Sequence, residues 1–195
     1  MFALVQDGSI TKYISGNRVI TIGDIQYPQN IFTLWSAAER EAIGIYEVVF
    51  DNSNKKDEAY YINTNQSFNF ADGVVTASYG SATAKELDDR NATNEAGEEL
   101  DPVVVIEGLK TKHKKIIKKQ ASGLLEPTDW YNHKALDDDT FTIPANITTY
   151  RANIRTRSNE METAIDNASD VDALAALYVY KDGERPLGEF PILEN

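Results

Sequence analysis

The chain has 195 residues, of which 42% are hydrophobic and 26% charged, as is normal for one or two folded domains. Its net charge of −12 repels phosphate backbones and anionic membrane surfaces, so the composition argues against nucleic-acid and membrane partners. The absence of cysteine excludes disulfides, thiol nucleophiles and cysteine-based zinc sites. The N-terminus has no basic region followed by an apolar run, so we expect no signal peptide, and no stretch approaches the roughly 18 apolar residues of a membrane span.

Residues 1–84 alternate short apolar or β-branched runs with turn residues, a pattern that is typical of antiparallel strands. Asp7-Gly8 and Asp72-Gly73 each separate two such runs and predict two hairpins. The candidate strands are residues 3–5, 9–14, 19–22, 45–50, 59–64, 67–70 and 74–76. We therefore predict a small, sandwich-like antiparallel domain.

One short helix is predicted within this β-rich half. Ser36 precedes it as an N-cap, and Glu39 stands three residues later, where its carboxylate can bond back to the Ser36 N–H in a capping box. Gly44 follows at the position where a helix commonly ends in a left-handed residue.

Residues 85–101 (KELDDRNATNEAGEELD) differ from both flanking regions, because they are polar, acidic and almost free of large apolar side chains. Such runs are usually solvated. We predict an acidic linker or mobile loop between two domains.

Residues 102–195 have the apolar spacing of helices. The first is predicted over residues 103–120, with His113 beside its apolar face and six lysines around the rest, which indicates a solvated face or one that meets an acidic partner. The second is predicted over residues 145–167 after Pro144, which suits a first helical turn.

A third helix is predicted from Ser169, with Asp172 completing a second capping box. The fold class that follows is α+β: an antiparallel β domain at 1–84 with one short helix, the acidic linker at 85–101 and an α-helical domain at 102–195.

No residue pattern defines a catalytic or metal site. A metal needs several convergent ligands, and structural roles fit His113 and His133 better. Residues 137–139 (DDD) lack the glycine turn and alternating oxygens of a calcium loop, and residues 51–54 (DNSN) are followed by two lysines where ligands would stand. No glycine-rich phosphate loop or G-x-S-x-G serine motif occurs. We therefore expect no enzymatic activity, no metal and no cofactor.

A series of short motifs carries a resemblance to a phage protein family. Residues 124–131 (LLEPTDWY) are followed, in this order, by Ile143-Pro144, Tyr150-Arg151, Ile154-Arg155 and Met161-Glu162 with Ile165. Over about residues 103–180 the chain thus resembles the C-terminal domain of tail fibre assembly chaperones and related tail proteins of tailed bacteriophages. Residues 3–8 and 34–46 resemble segments of such proteins, and the chain departs from the family pattern at residues 131–135 and in its acidic segment.

The resemblance implies a chaperone that binds the distal part of a tail fibre protein and assists its folding and trimerisation in the host bacterial cytoplasm during phage assembly. Because fibres are usually trimers, we expect a 3:3 complex and self-association through the helical domain. An alternative is a structural component of the virion tail, such as a fibre or baseplate adaptor. A third hypothesis, a fibre-linked hydrolase, requires a carboxyl group with a strongly raised pKa in a cleft.

Five residues form the signature of the helical domain: Thr128, Asp129, Trp130, Arg151 and Arg155. Thr128 or Asp129 suits a cap or turn between two helices, and Trp130 is expected between those helices with its ring buried. Arg151 and Arg155 lie one helical turn apart and are placed to hold Asp129 or another carboxylate.

Exposed aromatic side chains of the β domain are the candidates for fibre binding, because aromatic residues dominate interface hot spots. The candidates are Tyr60, Tyr61, Phe68, Phe70 and Tyr79. Strand alternation predicts that half or more of them pack inward.

Overall fold

A computed structural model describes residues 1–194, and the chain divides into two compact units, Met1–Thr83 and Ala84–Asn195. The α+β class is confirmed, since a β-sheet unit with short helices precedes a helical unit. The strands up to the boundary are β1 (Phe2–Gln6), β2 (Ser9–Ile14), β3 (Ile20–Ile22), β4 (Ile25–Tyr27), β5 (Ile45–Asp51), β6 (Tyr61–Ile62), β7 (Ser67–Ala71), β8 (Val74–Ser78) and β9 (Thr83–Ala84). The helices of the first unit are α1 (Ile31–Leu34) and α2 (Ala37–Glu41), one more than predicted.

The main sheet of the first unit has five strands in the order β2-β1-β5-β8-β7. It is mixed rather than purely antiparallel, because β5 and β8 pair in parallel from Val48↔Val75 to Asp51↔Ser78. The tight turn between β7 and β8 makes those two strands antiparallel to each other. It does not determine which of the two pairs with β5, so a parallel pair can form. The short strands β3 and β4 form a separate ribbon, as do β6 and β9.

Both predicted hairpins are confirmed. β1 pairs with β2 and β7 pairs with β8, each around an Asp-Gly turn. Both residues of each turn have positive φ: 50° at Asp7 and 75° at Gly8, then 52° at Asp72 and 77° at Gly73. This turn geometry matches the right-handed twist of the strands, and Asp and Gly tolerate it better than most residues.

A β-bulge in β2 helps the sheet to curl into a half-barrel. The register shifts between Leu4 and Val5, so that Leu4 faces Lys12 but Val5 faces Ile10, which leaves Thr11 as the extra residue. An extra residue turns the following side chains to the opposite face and increases the local twist. The edge strands approach each other as a result: the rings of Tyr13 on β2 and Phe68 on β7 lie 4.6 Å apart.

Apolar residues cover both faces of the central strand β1. Ala3, Leu4 and Val5 are all buried, and strand alternation sends Leu4 to one face and its two neighbours to the other. The convex cluster consists of Leu4, Ile14, Ile20, Ile31, Phe32 and Ile45. The concave cluster consists of Ala3, Val5, Val48, Val75 and Ala77.

The Ser36 capping box predicted for the first unit is confirmed. The Ser36 hydroxyl accepts from the Glu39 N–H at 3.3 Å, and the Glu39 carboxylate accepts from the Ser36 N–H at 2.8 Å. The Ser36 N–H and, second, the Ser36 hydroxyl donate to the Glu39 carboxylate and hold its pKa below its usual value.

The second unit consists of a short ribbon and a helical bundle. The ribbon pairs β10 (Arg90–Asn91) with β11 (Val105–Ile106). The helices are α3 (Leu109–Leu125), a 3-10 turn (Glu126–Thr128), α4 (Asp129–Asp137), α5 (Ala145–Asp166) and α6 (Val171–Ala176). α3 packs against α5, and the buried apolar core includes Leu109, Ile117, Ala121, Ile147, Ile154, Met161, Ile165, Val171 and Leu174.

Two predicted helix starts are wrong. α3 begins at Leu109 and not at Val103, because residues 103–106 are β-branched and Gly108 stands as the N-cap in extended conformation. α6 begins at Val171 with Asp170 as its N-cap, and the Asp170 carboxylate accepts from the Ala173 N–H at 2.7 Å, a role that we predicted for Ser169. A carboxylate at this position also stabilises the positive end of the helix dipole.

The acidic segment, predicted as a linker, supplies the N-terminal cap of α3. The Asp89 carboxylate accepts from the Gly108 N–H at 2.8 Å and from the Thr111 hydroxyl at 2.9 Å. The carbonyls of Glu86 and Leu87 accept from the next two N–H groups of the helix. These bonds satisfy donors that an isolated helix leaves without partners. The Gly108 N–H and, second, the Thr111 hydroxyl hold the pKa of Asp89 below its usual value.

No helix in residues 1–194 is long and apolar enough to cross a membrane.

Candidate interaction site

The Arg151 side chain joins α5 to the end of α3 and the start of α4. Its guanidinium donates to the Leu125 carbonyl at 3.0 Å, the Thr128 hydroxyl at 2.5 Å and the Asp129 carboxylate at 2.7 Å. Arg151 is 7% exposed and Thr128 is 4% exposed, whereas the Asp129 side chain is half exposed. Five guanidinium donors in a rigid plane suit this task, because several acceptors can be held at once.

Arg155, the second arginine of the signature, has a different role. It is exposed and donates to the Arg151 carbonyl at 3.3 Å. It lines an open cavity of about 420 Å³ between α3 and α5, together with Lys118, Arg151 and Asp129. Two of the three cations there are already paired, Arg151 with Asp129 at 2.7 Å and Lys118 with Glu162 at 3.2 Å. The cavity therefore offers one exposed guanidinium and defines no specific ligand.

Trp130 is exposed, so our prediction that its ring is buried between two helices is wrong. The side chain is 50% exposed and stacks on Tyr131 with a centroid distance of 3.8 Å. The contact between the end of α3 and α5 is made instead by Arg151 and by Tyr150, whose hydroxyl donates to the Leu124 carbonyl at 3.3 Å. With Arg151 and Tyr150 in that position, α4 turns Trp130 outward.

Phe141, which is partly buried, lies beside Trp130 and Tyr131. Its ring centroid lies 6.3 Å from those of Trp130 and Tyr131, and the Lys134 ammonium lies 4.3 Å from its centroid. We call Trp130, Tyr131 and Phe141 the aromatic patch. Sequence reasoning missed Tyr131 and Phe141, although two aromatic residues directly after TD were a usable signal. Trp130 is half exposed, whereas Tyr131 and Phe141 are partly buried. Mutually packed aromatic rings at a surface are typical of protein interfaces.

The five aromatic residues predicted for fibre binding have different environments. Tyr60 is 9% exposed, and burial raises the pKa of its hydroxyl. Tyr61 and Tyr79 are half-buried, with the ammonium groups of Lys56 and Lys55 at 5.4 and 5.8 Å from their ring centroids.

Phe68 and Phe70 are half-buried on the concave face of the sheet, where each contacts a tyrosine that sequence reasoning missed. Phe68 lies 4.6 Å from Tyr13, which is 51% exposed, and Phe70 lies 4.8 Å from Tyr46. We call these four residues the aromatic rim. The two partners lie far from residues 68 and 70 in sequence, so only the curled sheet brings them together.

The ionisable groups are mostly engaged in structural contacts. Lys110, Lys114, Lys115 and Lys118 of α3 pair with Asp88, Asp166, Glu107 and Glu162 of the same unit. The carboxyl groups with a clearly shifted pKa are Glu39, Asp51, Asp89 and Asp138, and hydrogen bonds lower the pKa of each. Residues 1–194 contain no group of three or more His, Cys, Asp or Glu side chains that could hold a metal ion.

His113 lies beside the core of the second unit. It is half-buried, with its ring centroid 4.8 Å from that of Tyr178, and burial lowers its pKa. His133 lies exposed on α4. The structure therefore does not bring the two histidines together.

No protein-family model, no curated protein and no solved structure matches this chain.

Proposed function

We propose that this chain is a tail fibre assembly chaperone of a tailed bacteriophage, which acts by binding and not by catalysis. The observation that carries the proposal is the 50% exposure of Trp130, the residue at the centre of the motif that resembles this family. A tryptophan that serves only packing is normally buried, whereas one held at the surface beside two other rings is suited to contact a partner.

The construction of the patch supports the same proposal. Thr128 and Asp129, directly before Trp130, are held by the buried Arg151, so the start of α4 is rigid where the patch begins. A rigid aromatic surface loses little conformational entropy on binding. The aromatic rim of the first unit offers a second surface of the same chemistry.

The proposed roles of the two surfaces differ. The rim binds the distal part of the fibre, whose exposed strand edges aggregate unless they are covered. The aromatic patch associates copies of the chain, so that three copies match the three-fold fibre. The high negative charge keeps the complex dispersed.

The test is co-expression of this chain with a candidate tail fibre protein from the same genome. Soluble trimeric fibre is expected only when this chain is present, with a total mass by light scattering that corresponds to a 3:3 complex and no copy of the chain in purified virions by mass spectrometry. A fibre that folds alone, together with this chain in the virion, would identify an adaptor instead. A 1:3 or 2:3 complex would contradict the proposed stoichiometry.

Two variants separate the aromatic patch from general surface effects. Trp130→Ala is expected to reduce the yield of 3:3 complex by at least about tenfold, since truncation of a hot-spot tryptophan costs about 2 kcal/mol or more. Leu136→Ala is the matched control, because Leu136 is 81% exposed on the same helix and outside the patch. Equal effects of the two variants would show that the patch has no specific role.

A further inference from the structure

Residues 103–106 (VVVI) place four consecutive apolar side chains at the surface of the second unit. Their exposed fractions are 58% for Val103, 49% for Val104, 54% for Val105 and 38% for Ile106. Strands of folded domains normally bury at least one face, so that exposed apolar residues alternate with buried ones. We call this run the valine edge.

The backbone of the valine edge is paired on one side. β11 pairs with β10 in a two-stranded ribbon, and the Ala92 N–H donates to the Val104 carbonyl at 2.7 Å. Because backbone groups of successive residues point to opposite sides of a strand, those of Val103 and Val105 point away from β10. A strand with such an outer edge is a template for pairing with another strand.

Carboxylates cluster at one end of the valine edge. Glu98, Glu99 and Asp101 precede it, and within the described chain none of these three forms an ion pair. At the other end Glu107 is paired with Lys115. Residues 85–108 together contain eight acidic and two basic side chains, and therefore half of the net charge of −12. The negative potential is concentrated before Val103.

This charge pattern argues against a second copy of the chain on the valine edge. In an antiparallel pair centred on Val104, Asp101 of one copy would face Glu107 of the other. In a parallel pair in register, Asp101 would face its own equivalent. Like charges directly opposite each other destabilise strand pairs, so neither arrangement is favourable.

We propose that the valine edge binds an extended segment of another protein, which adds to β11 as a third strand. The segment carries apolar residues at alternate positions and Lys or Arg at the end that lies beside Glu98, Glu99 and Asp101. Backbone hydrogen bonds join the segment to β11, and its apolar side chains cover the valines. The attraction between its basic residues and the three carboxylates determines which segments bind. The site is independent of the aromatic patch and does not depend on a tail fibre as the partner.

The test uses the full-length chain and three labelled peptides, with binding measured by fluorescence anisotropy. The parent peptide is Lys-Lys-Thr-Val-Thr-Val-Thr-Lys-Lys, the second has Glu in place of every Lys, and the third has Pro in place of the central Thr. The Glu peptide is expected to bind at least about tenfold more weakly than the parent. The Pro peptide is expected to lose binding, because it lacks an N–H and disturbs the strand. Equal binding of the Lys and Glu peptides, or of the parent and Pro peptides, would overturn the proposal.

Amide exchange and charge variants locate the site. The parent peptide is expected to slow hydrogen exchange at the Val105 amide, and an unchanged rate would contradict strand addition. The triple variant Glu98→Gln, Glu99→Gln, Asp101→Asn is expected to weaken binding by roughly threefold to tenfold. The matched control Glu126→Gln, Asp137→Asn, Asp139→Asn removes the same charge elsewhere in the second unit and should leave binding nearly unchanged. Equal losses in both variants would show that only net charge matters and would overturn the assignment of the site.

Discussion

The Arg151 guanidinium reaches 22 positions back along the chain to the Asp129 carboxylate, with an Nη2–Oδ1 distance of 2.7 Å. The same guanidinium bonds to Leu125 and Thr128, so one buried side chain holds the end of α3, the 3-10 turn and the start of α4. The five-residue signature of the helical domain is therefore built around a structural arginine, and its tryptophan is left at the surface.

Arg151→Met is expected to destabilise the second unit by about 2–3 kcal/mol, because it leaves the Leu125 carbonyl and the Thr128 hydroxyl without this donor. Arg155→Met is the control, since Arg155 is exposed and makes one hydrogen bond to a backbone carbonyl. The Arg155→Met substitution should lower the free energy of unfolding by less than about 0.5 kcal/mol. Urea denaturation of both variants measures the difference, and equal destabilisation would contradict the central role of Arg151.

Gly108→Ala is expected to destabilise the chain by about 1–3 kcal/mol, because the new Cβ would lie 2.5 Å from the Asp88 oxygen and 2.6 Å from the Leu87 oxygen. Gly123→Ala is the matched control within α3, where a Cβ meets nothing within 4 Å. Gly123→Ala should raise the free energy of unfolding by up to about 1 kcal/mol, because alanine favours the helical conformation more than glycine does. Opposite shifts of the melting temperature are expected, and a neutral Gly108→Ala would show that the acidic segment does not pack closely on α3.

His113 predicts a loss of stability on mild acidification. Burial lowers the pKa of His113 in the folded state, so the unfolded chain takes up the proton more readily. Neutral His113 makes its full contribution to the free energy of unfolding above about pH 6.5, the pKa of histidine in the unfolded chain. This contribution is lost as the pH falls from there towards the lower pKa of His113 in the folded state. His113→Phe keeps a ring beside Tyr178 and should flatten the dependence of unfolding free energy on pH between about 7.5 and 5. His133→Phe is the control because His133 is exposed. The same slope of unfolding free energy against pH in both variants would contradict the role of His113.

The exposure of Trp130 can be measured directly, because the chain contains two tryptophans. In Trp35→Phe the remaining fluorescence comes from Trp130, which is 50% exposed, and in Trp130→Phe it comes from the half-buried Trp35. Trp35→Phe should therefore show the more red-shifted emission and the stronger quenching by iodide. Stronger quenching of Trp35 than of Trp130 would mean that the aromatic patch is covered in solution.

Local features of the fold could be predicted from short stretches of sequence. The Asp-Gly hairpins and the Ser36 capping box depend on residues within three or four positions of each other, and the structure confirms them. α5 is confirmed over Ala145–Asp166 because its apolar stripe recurs at helical spacing along one continuous segment. The start of α3 was predicted wrongly because apolar spacing was followed past Gly108 into a β-branched run.

The sequence by itself determined the α+β class, the order of the two regions and the turns, since these follow from backbone preferences and apolar periodicity over a few residues. Only the tertiary structure decided the parallel pairing of β5 with β8, the approach of Tyr13 to Phe68 and the capping of α3 by Asp89. It also decided that Arg151 is buried while Trp130 is exposed. The physical reason is the same in each case: these contacts join residues distant in the chain, and their free energy depends on which groups the completed fold brings within hydrogen-bonding or van der Waals distance.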